Sequence, residues 1–366
     1  MRRKSSEMPV LHGKISGTDK RKKMREESFK AIEFTEDGRL KLIDQRILPG
    51  KLDYTYHDTS ADVAFAIKDM IVRGAPAIGG AAGYGIYFAA KEAKGDWDDF
   101  LKRVEVVRTS RPTAVNLMWA CDRMVDKAKK TDLDLEELLQ EAHDIVSEDK
   151  AMNHRIGEIG SAVVRPGATI LTHCNTGALA TCGWGTALGV IKTAYEQGKV
   201  KHVYADETRP RFQGARLTAW ELVDYGIPST LIPDSAAASL IRDGKIDCVI
   251  LGADRITTDG DVANKLGTFT LSCICKLYGV PLYSVAPTTT IDFNMKEGKD
   301  IPIEERTEDE VKRPGGVLVA PEEIEVYNPS FDVTPHQNIT GIITEKGIIY
   351  PPFDVNIKKL KEEMDR

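Results

Sequence analysis

The sequence ATILTHCNTGALATCGWGTALGVIKTAY, residues Ala168–Tyr195, decides the fold class of this chain. Its apolar run Ala168–Thr172 predicts a buried strand, and the helical pattern beyond it predicts a helix over Ala178–Gln197. Cys174 therefore lies between a strand and a helix, where open α/β sheets bind their ligands. A helix N-terminus favours a thiolate or a phosphate there. The stretch alone leaves a second interpretation open, in which Cys174 is a small buried core residue.

The second half of the chain repeats this alternation of strand and helix. Its strand-like apolar runs are Thr169–His173, Val200–Ala205, Ser229–Ile232, Cys248–Leu251, Leu282–Ala286, Ile324–Tyr327 and Ile339–Thr344. The helical patterns that separate most of them are Ala178–Gln197, Ala215–Tyr225, Ala236–Asp243 and Leu266–Tyr278. Such alternation predicts a doubly wound parallel sheet with helices on both faces.

The first half is mainly helical. Residues 31–58 predict short strands around a turn at Glu36–Gly38, and the pattern from Ser60 to about Ala162 is helical. The predicted fold class is therefore α/β, with a small, mainly helical N-terminal domain that holds a short antiparallel sheet, followed by a C-terminal domain with a doubly wound parallel sheet.

The length of the chain favours two domains. We expect a basic, flexible extension over 1–27, a mostly helical domain over 28–160 and a catalytic domain over 161–366. An RNA-binding arm is an alternative interpretation of the basic extension.

Composition and charge exclude two large classes of protein. The formal net charge is −6 over 366 residues, and the body beyond the basic extension is acidic, unlike the basic face of a nucleic-acid binder. No apolar run approaches the ~20 residues of a membrane-spanning helix, and the N-terminus lacks the apolar core of a secretory signal. Six cysteines and seven histidines show no metal-ligand spacing, so we expect no metal and a reducing, cytoplasmic environment.

Polar residues follow four of the predicted strands. They are Cys174–Gly177, Asp206–Arg216, Gly252–Arg255 with Asn264 and Lys265 opening the next helix, and Pro287–Thr290. Because the carboxyl ends of parallel strands share one edge, these segments should meet in one site. Cys174 and Asp254 could move protons there, and Gln213, Asn264 and Lys265 could hold hydroxyl groups. Taken alone, Gly252–Asp254 favours a structural interpretation, in which Asp254 caps a helix or pairs with Arg255.

The helical half adds a candidate phosphate site. A turn at Gly74 and Ala75 offers backbone N–H groups beside the Arg73 guanidinium, and Arg111 precedes a second helix start. A structural turn and a surface arginine are equally open interpretations. No dinucleotide-binding glycine motif and no phosphate-binding lysine loop of NTPases is present. The residues alone therefore indicate an enzyme that acts on a small phosphorylated polyol.

Six collinear motifs carry a family resemblance over about residues 30–350. They are Arg73–Gly79, Arg111–Leu117, Thr172–Ala180, Glu207–Pro210 with Gln213–Leu217, Gly252–Arg255 and Asn264–Thr268. Together they resemble the S-methyl-5-thioribose-1-phosphate isomerase family of methionine salvage. The resemblance implies a Rossmann-like C-terminal domain, a homodimer, and conversion of 5-methylthioribose 1-phosphate to 5-methylthioribulose 1-phosphate without metal or nucleotide cofactor.

The resemblance also implies residue roles. The proton donor and acceptor fall on Cys174 and Asp254, so that Cys174 is a proton carrier and forms no covalent adduct. The substrate contacts fall on Arg73, Gly74, Ala75, Arg111, Gln213, Asn264 and Lys265. An enediolate and a hydride shift both remain open as routes.

Two relatives of the same fold are alternatives. A ribose-1,5-bisphosphate isomerase would need extra cationic contacts for a 5-phosphate, where a methylthio group needs an apolar pocket. A non-catalytic regulatory subunit of the translation-initiation exchange factor would have no use for both Cys174 and Asp254.

Overall fold

The computed structural model describes residues 28–111 and 115–365, and its α/β architecture confirms the predicted fold class. The basic extension over 1–27 lies outside the described residues. No helix in the described part of the chain is both long enough and apolar enough to cross a bilayer.

The first half is a small sheet covered by helices. Its elements are β1 (Ile32–Phe34), β2 (Leu40–Ile43), β3 (Tyr54–His57), α1 (Ser60–Lys68), α2 (Ala75–Ala93), α3 (Trp97–Arg108), α4 (Val115–Thr131) and α5 (Leu135–Gly160). The three strands pair in antiparallel order β1-β2-β3. Thr59 and Asp96 start α1 and α3 by accepting hydrogen bonds from free backbone N–H groups. The buried faces of the helices meet in one core around α2.

The second half is built on a seven-stranded sheet. Its elements are β4 (Ala168–Thr172), α6 (Ala187–Glu196), β5 (Val200–Asp206), α7 (Ala219–Asp224), β6 (Ser229–Ile232), α8 (Ala236–Arg242), β7 (Cys248–Gly252), β8 (Arg255–Ile256), β9 (Val262–Lys265), α9 (Thr268–Tyr278), β10 (Leu282–Val285), α10 (Asp309–Lys312), β11 (Phe331–Thr334), β12 (Gly341–Thr344), β13 (Gly347–Ile349) and α11 (Phe353–Met364). The large sheet has the order β13-β12-β10-β7-β4-β5-β6, and β8, β9 and β11 form a small second sheet. All neighbours in the large sheet are parallel except β12 and β13.

The strand order places a topological switch point between β4 and β7. From β4 the chain proceeds outward through β5 and β6, then returns to β7 on the other side and proceeds outward through β10 and β12. Successive connections therefore leave the two central strands in opposite directions, which opens a crevice at their carboxyl ends. Cys174 follows β4 and Asp254 follows β7, so both lie at this crevice.

Three details of the sequence prediction are wrong. No helix begins at Ala178, where the chain forms a single 3₁₀ turn. The helix α6 begins only at Ala187, because the intervening Gly183 and Gly185 adopt positive φ values that do not fit a helix. Asn264 and Lys265 end β9 and do not open a helix. The run Ile324–Tyr327 is no strand, and its Ile324 and Tyr327 side chains are exposed.

The two halves meet through a small apolar cluster and a set of polar contacts. Leu48 packs with Leu179 and Leu217 between them. Arg216 donates to the carbonyl oxygens of Gln45 and Leu48 across the junction, at 3.2 and 3.1 Å. The domain boundary at 160 stays a prediction, and in the structure α5 contributes its first half to one core and Ile156 to the other.

Candidate active site

A cavity of about 290 Å³ lies at the crevice between the two halves. All nine residues that the sequence singles out line it, namely Arg73, Gly74, Ala75, Arg111, Cys174, Gln213, Asp254, Asn264 and Lys265. The structure thus brings together side chains from both halves of the chain, while their individual roles stay predictions.

The N-terminus of α2 forms one wall of the cavity. Gly74 precedes the helix with a φ of +92°, and no side chain in the described part of the chain caps its free N–H groups. Uncapped N–H groups and the positive end of the helix dipole favour an anion at this position. Arg73 lies beside it and donates to the side-chain and backbone oxygens of Asn175, both at 3.3 Å. This wall has the properties of a phosphate site.

Cys174 follows the carboxyl end of β4 and has an unusual backbone conformation. Its φ is +62°, a value that residues other than glycine rarely adopt. Two threonines hold the segment in place: Thr208 Oγ1 accepts from the Cys174 N–H at 2.9 Å, and Thr218 Oγ1 donates to the Cys174 carbonyl at 2.6 Å. The residue is 7% exposed, and what remains exposed faces the cavity.

Asp254 contributes a carboxyl group with a shifted pKa. Its backbone N–H donates to the Ala263 carbonyl at 2.9 Å, which fixes the turn between β7 and β9. None of the described residues donates a hydrogen bond to its side chain. Burial raises the pKa of Asp254, and the charges of Lys265, Arg73 and Arg111 oppose that shift without cancelling it. A carboxyl with a raised pKa is suited to donate a proton.

Lys265 links the two titratable groups. Burial lowers the pKa of its ammonium, while the nearby charges of Cys174 and Asp254 work in the opposite direction. Its Nζ donates to the Ser330 carbonyl at 2.9 Å and lies 4.5 Å from the centre of the Phe331 ring. The ammonium is therefore fixed within electrostatic reach of both titratable groups.

The remaining predicted residues offer further polar contacts. Asn264 donates to Thr268 Oγ1 at 3.0 Å, which leaves its oxygen to accept. The buried Oε1 of Gln213 has no hydrogen-bond partner in the described part of the chain, so a ligand hydroxyl would satisfy it. Burial and the charge of Arg73 lower the pKa of Arg111. The residues that follow Arg111 in its motif, 112–114, lie outside the described residues.

Sequence reasoning missed one wall of the cavity. Residues of the irregular stretch between β10 and β11 line it, among them Arg306 and Glu310. Glu310 Oε1 accepts from Arg306 and from Arg211, each at 2.8 Å, which ties this stretch to the segment after β5. Beyond Pro287–Thr290, the one element predicted between β10 and β11 is the strand Ile324–Tyr327, which does not form, so sequence reasoning had no signal for the position of Arg306 and Glu310.

Two groups of side chains have the geometry of metal ligands. They are His173, Asp206 and Asp234 below the cavity, and Asp259, Asp261 and His336 on the second small sheet. In both groups a histidine Nδ1 already contacts a carboxylate, at 2.8 and 2.9 Å.

Comparisons with known proteins agree on one family. Residues 71–351 match the Initiation factor 2 subunit family. A methylthioribose-1-phosphate isomerase of Caldanaerobacter subterraneus subsp. tengcongensis is 58% identical over 343 residues, which are 91% of this chain and 99% of that protein. The enzyme of the same name from Caldicellulosiruptor saccharolyticus is 53% identical over 92% of this chain and 100% of that protein.

Two solved structures share the fold. The crystal structure of 5-methylthioribose 1-phosphate isomerase from Pyrococcus horikoshii OT3 superposes with a TM-score of 0.86 at 44% identity, covering 91% of this chain and 96% of that one. The structure of translation initiation factor eIF-2B, subunit delta, from A. fulgidus gives 0.82 at 43% identity, covering 92% and 100%.

Replacing Gly74 by alanine should destabilise the protein more than the same change at Gly38. A Cβ at Gly74 would lie 2.2 Å from the Ala180 carbonyl oxygen, so the α2 N-terminus would have to move; at Gly38, also with positive φ, the space is open. We expect Gly74→Ala to lower the free energy of unfolding by about 1–3 kcal/mol more than Gly38→Ala. Urea unfolding measures both, and equal losses would contradict the close packing.

Proposed function

The chain belongs to the Initiation factor 2 subunit family and, within it, to the methylthioribose-1-phosphate isomerases, and from this premise we propose that Asp254 and Cys174 carry the protons of its reaction. The reaction is an aldose–ketose isomerisation in methionine salvage, from 5-methylthioribose 1-phosphate to 5-methylthioribulose 1-phosphate. One observation supports the assignment above the others: Cys174 and Asp254 follow the carboxyl ends of the two central strands, and Lys265 lies within electrostatic reach of both.

The phosphate of the substrate binds at the N-terminus of α2. The free N–H groups around Ala75 and the Arg73 guanidinium supply charge-assisted hydrogen bonds. Arg111 adds a second guanidinium to the same cavity. Gln213 and Asn264 face the cavity with unfilled acceptor oxygens and bind the sugar hydroxyls.

The first chemical step opens the sugar ring. The phosphate ester occupies the anomeric oxygen at C1, so the ring cannot open to a free aldehyde. Asp254 gives its proton to the ring oxygen as the bond between C1 and that oxygen breaks. The ring oxygen becomes the C4 hydroxyl, and the positive charge left at C1 is shared with the phosphoester oxygen. The raised pKa of Asp254 keeps that proton available near neutral pH.

The second step moves hydrogen from C2 to C1. The Cys174 thiolate removes the C2 proton, so that a C1–C2 double bond forms, and returns the proton to C1 as the C2 hydroxyl becomes a carbonyl. Asp254 takes the hydroxyl proton and is ready again, so the atoms of substrate and product balance. A direct hydride shift from C2 to C1 is the alternative route, and it leaves Cys174 only the task of shielding the site.

We also propose that the protein is a homodimer and acts in the cytoplasm. Family membership supports both points.

The substrate class is tested by offering two sugar phosphates separately. Purified protein should convert methylthioribose 1-phosphate to its ketose and leave ribose 1,5-bisphosphate unchanged. The ketose formed from each sugar phosphate is measured in a coupled assay at equal enzyme and substrate concentrations. Turnover of the bisphosphate alone would replace the proposed substrate, and turnover of neither would favour a regulatory protein.

Conservative substitution of either proton carrier should abolish most turnover. We expect Cys174→Ser and Asp254→Asn each to lower kcat by about 10²–10⁴, the usual contribution of a general acid or base. Cys273→Ser is the matched control, because Cys273 is exposed and does not line the cavity. Circular dichroism should show all three variants folded. A folded variant of Cys174 or Asp254 that keeps wild-type kcat removes that residue from the mechanism.

Removing the Lys265 charge should move the pH profile upward. A nearby cation stabilises the carboxylate of Asp254, so Lys265→Gln raises the pKa of Asp254, and the proton stays on to higher pH. The descending alkaline limb of kcat/KM should therefore shift to higher pH while the maximum falls. Lys299→Gln, at an exposed lysine outside the cavity lining, should leave the profile unchanged. If the alkaline limb of Lys265→Gln does not move, the pKa of Asp254 does not determine that limb.

A further inference from the structure

The residue before Cys174 is a buried histidine that is held at both ring nitrogens. His173 Nδ1 lies 2.8 Å from Asp206 Oδ2, and its Nε2 lies 2.9 Å from the Leu266 carbonyl oxygen. Both His173 and Asp206 are 1% exposed. Because a carbonyl only accepts, Nε2 carries a hydrogen, and one further proton is shared between Nδ1 and the Asp206 carboxylate.

The two side chains compensate each other's charge. Burial by itself lowers the pKa of His173, but the hydrogen bond and charge of Asp206 outweigh it, and the pKa is raised overall. Asp206 Oδ1 is buried and has no hydrogen-bond partner in the described part of the chain. His173 is therefore the main compensation for a carboxylate that water does not reach.

The ring of His173 connects three segments of the cavity wall. His173 lies between the end of β4 and Cys174, Asp206 ends β5, and Leu266 directly follows Lys265. The fit is close: a Cβ on Gly267 would lie 3.0 Å from the ring carbon Cε1, so only glycine lets the backbone pass there. Movement of the ring would displace the segments of Cys174 and Lys265 together.

Asp206 also supports the backbone of Cys174. The Asp206 carbonyl accepts from the Thr208 hydroxyl at 3.2 Å, and the oxygen of that hydroxyl in turn accepts from the Cys174 N–H at 2.9 Å. Thr208 itself has a φ of +63°, which is rare for a β-branched residue. Cys174 and Thr208, which this hydrogen bond joins, both have uncommon backbone conformations. Such conformations persist only where the surrounding structure stabilises them, and they are concentrated at functional sites.

We propose that His173 and Asp206 form a positioning pair, which holds the Cys174 thiol in register with Lys265 across the cavity. The pair lies beneath the cavity wall and touches no substrate. The inference rests on the proposed function, because the position of the thiol affects turnover only if Cys174 carries a proton.

Substitutions at both members test the pair. His173→Gln keeps a donor for the Leu266 carbonyl but loses the contact with Asp206, and Asp206→Asn keeps the shape but loses the charge. We expect each to lower kcat by about tenfold to a hundredfold with KM changed less than about threefold, as for other supporting contacts of an active site. His336→Gln is the matched control, since His336 Nδ1 makes a similar contact to Asp261 at 2.9 Å outside the cavity lining.

Alkylation of Cys174 by iodoacetamide, followed by peptide mass spectrometry, gives a readout independent of turnover. The thiol should react at least about threefold faster in His173→Gln than in wild type, because a relaxed segment exposes it. If the variants have a lower melting temperature but an unchanged kcat and an unchanged rate of Cys174 alkylation, the role of His173 and Asp206 is purely structural and the proposal is wrong. If Cys174→Ser stays active while alkylation in His173→Gln accelerates, the proposed function fails and the positioning stands.

Discussion

The pairing of β4 with β7 is the constraint on which the rest of the site depends. These strands are neighbours in the sheet, with Ile170 opposite Cys248 and Leu171 opposite Val249, although the chain between them forms two further strands. The connections from them run to opposite sides, which leaves a crevice at their carboxyl ends. The first half of the chain closes this gap with the N-terminus of α2, and the cavity therefore takes residues from both halves.

The charges of the cavity explain why it suits a phosphorylated ligand. Arg73 and Lys265 donate to uncharged oxygens, those of Asn175 and of the Ser330 backbone, so their charge is not neutralised in these contacts. Burial lowers the pKa of Lys265 and of Arg111, which shows that water compensates these cations poorly. A dianionic group would supply the missing charge, and its binding energy beside buried cations exceeds that of an exposed ion pair.

Much of this site could be predicted from sequence, because strand ends are local features. Apolar runs followed by polar residues placed Cys174 and Asp254 on one edge, and the turn at Gly74 indicated the anion site. The start of α6 could not be read in this way, since the positive φ of Gly183 and Gly185 depends on tertiary packing. A Cβ on Gly185 would lie 2.5 Å from Gly177, a contact that no local pattern reveals. The wall that holds Glu310 is fixed by ion pairs between distant segments, which periodicity does not record either.

The distribution of backbone N–H groups decides where an anion binds. The sequence placed a helix N-terminus directly beyond Cys174, but the loop found there uses its donors internally. The Ala178 N–H donates to the buried carboxylate of Glu221 at 2.8 Å, and the Leu188 N–H in the first turn of α6 donates to Thr176 Oγ1 at 3.2 Å. The N-terminus of α2 has no such side-chain partner in the described part of the chain. The N-terminus that we propose for the phosphate and the Cys174 thiol are therefore on different elements that face the same cavity.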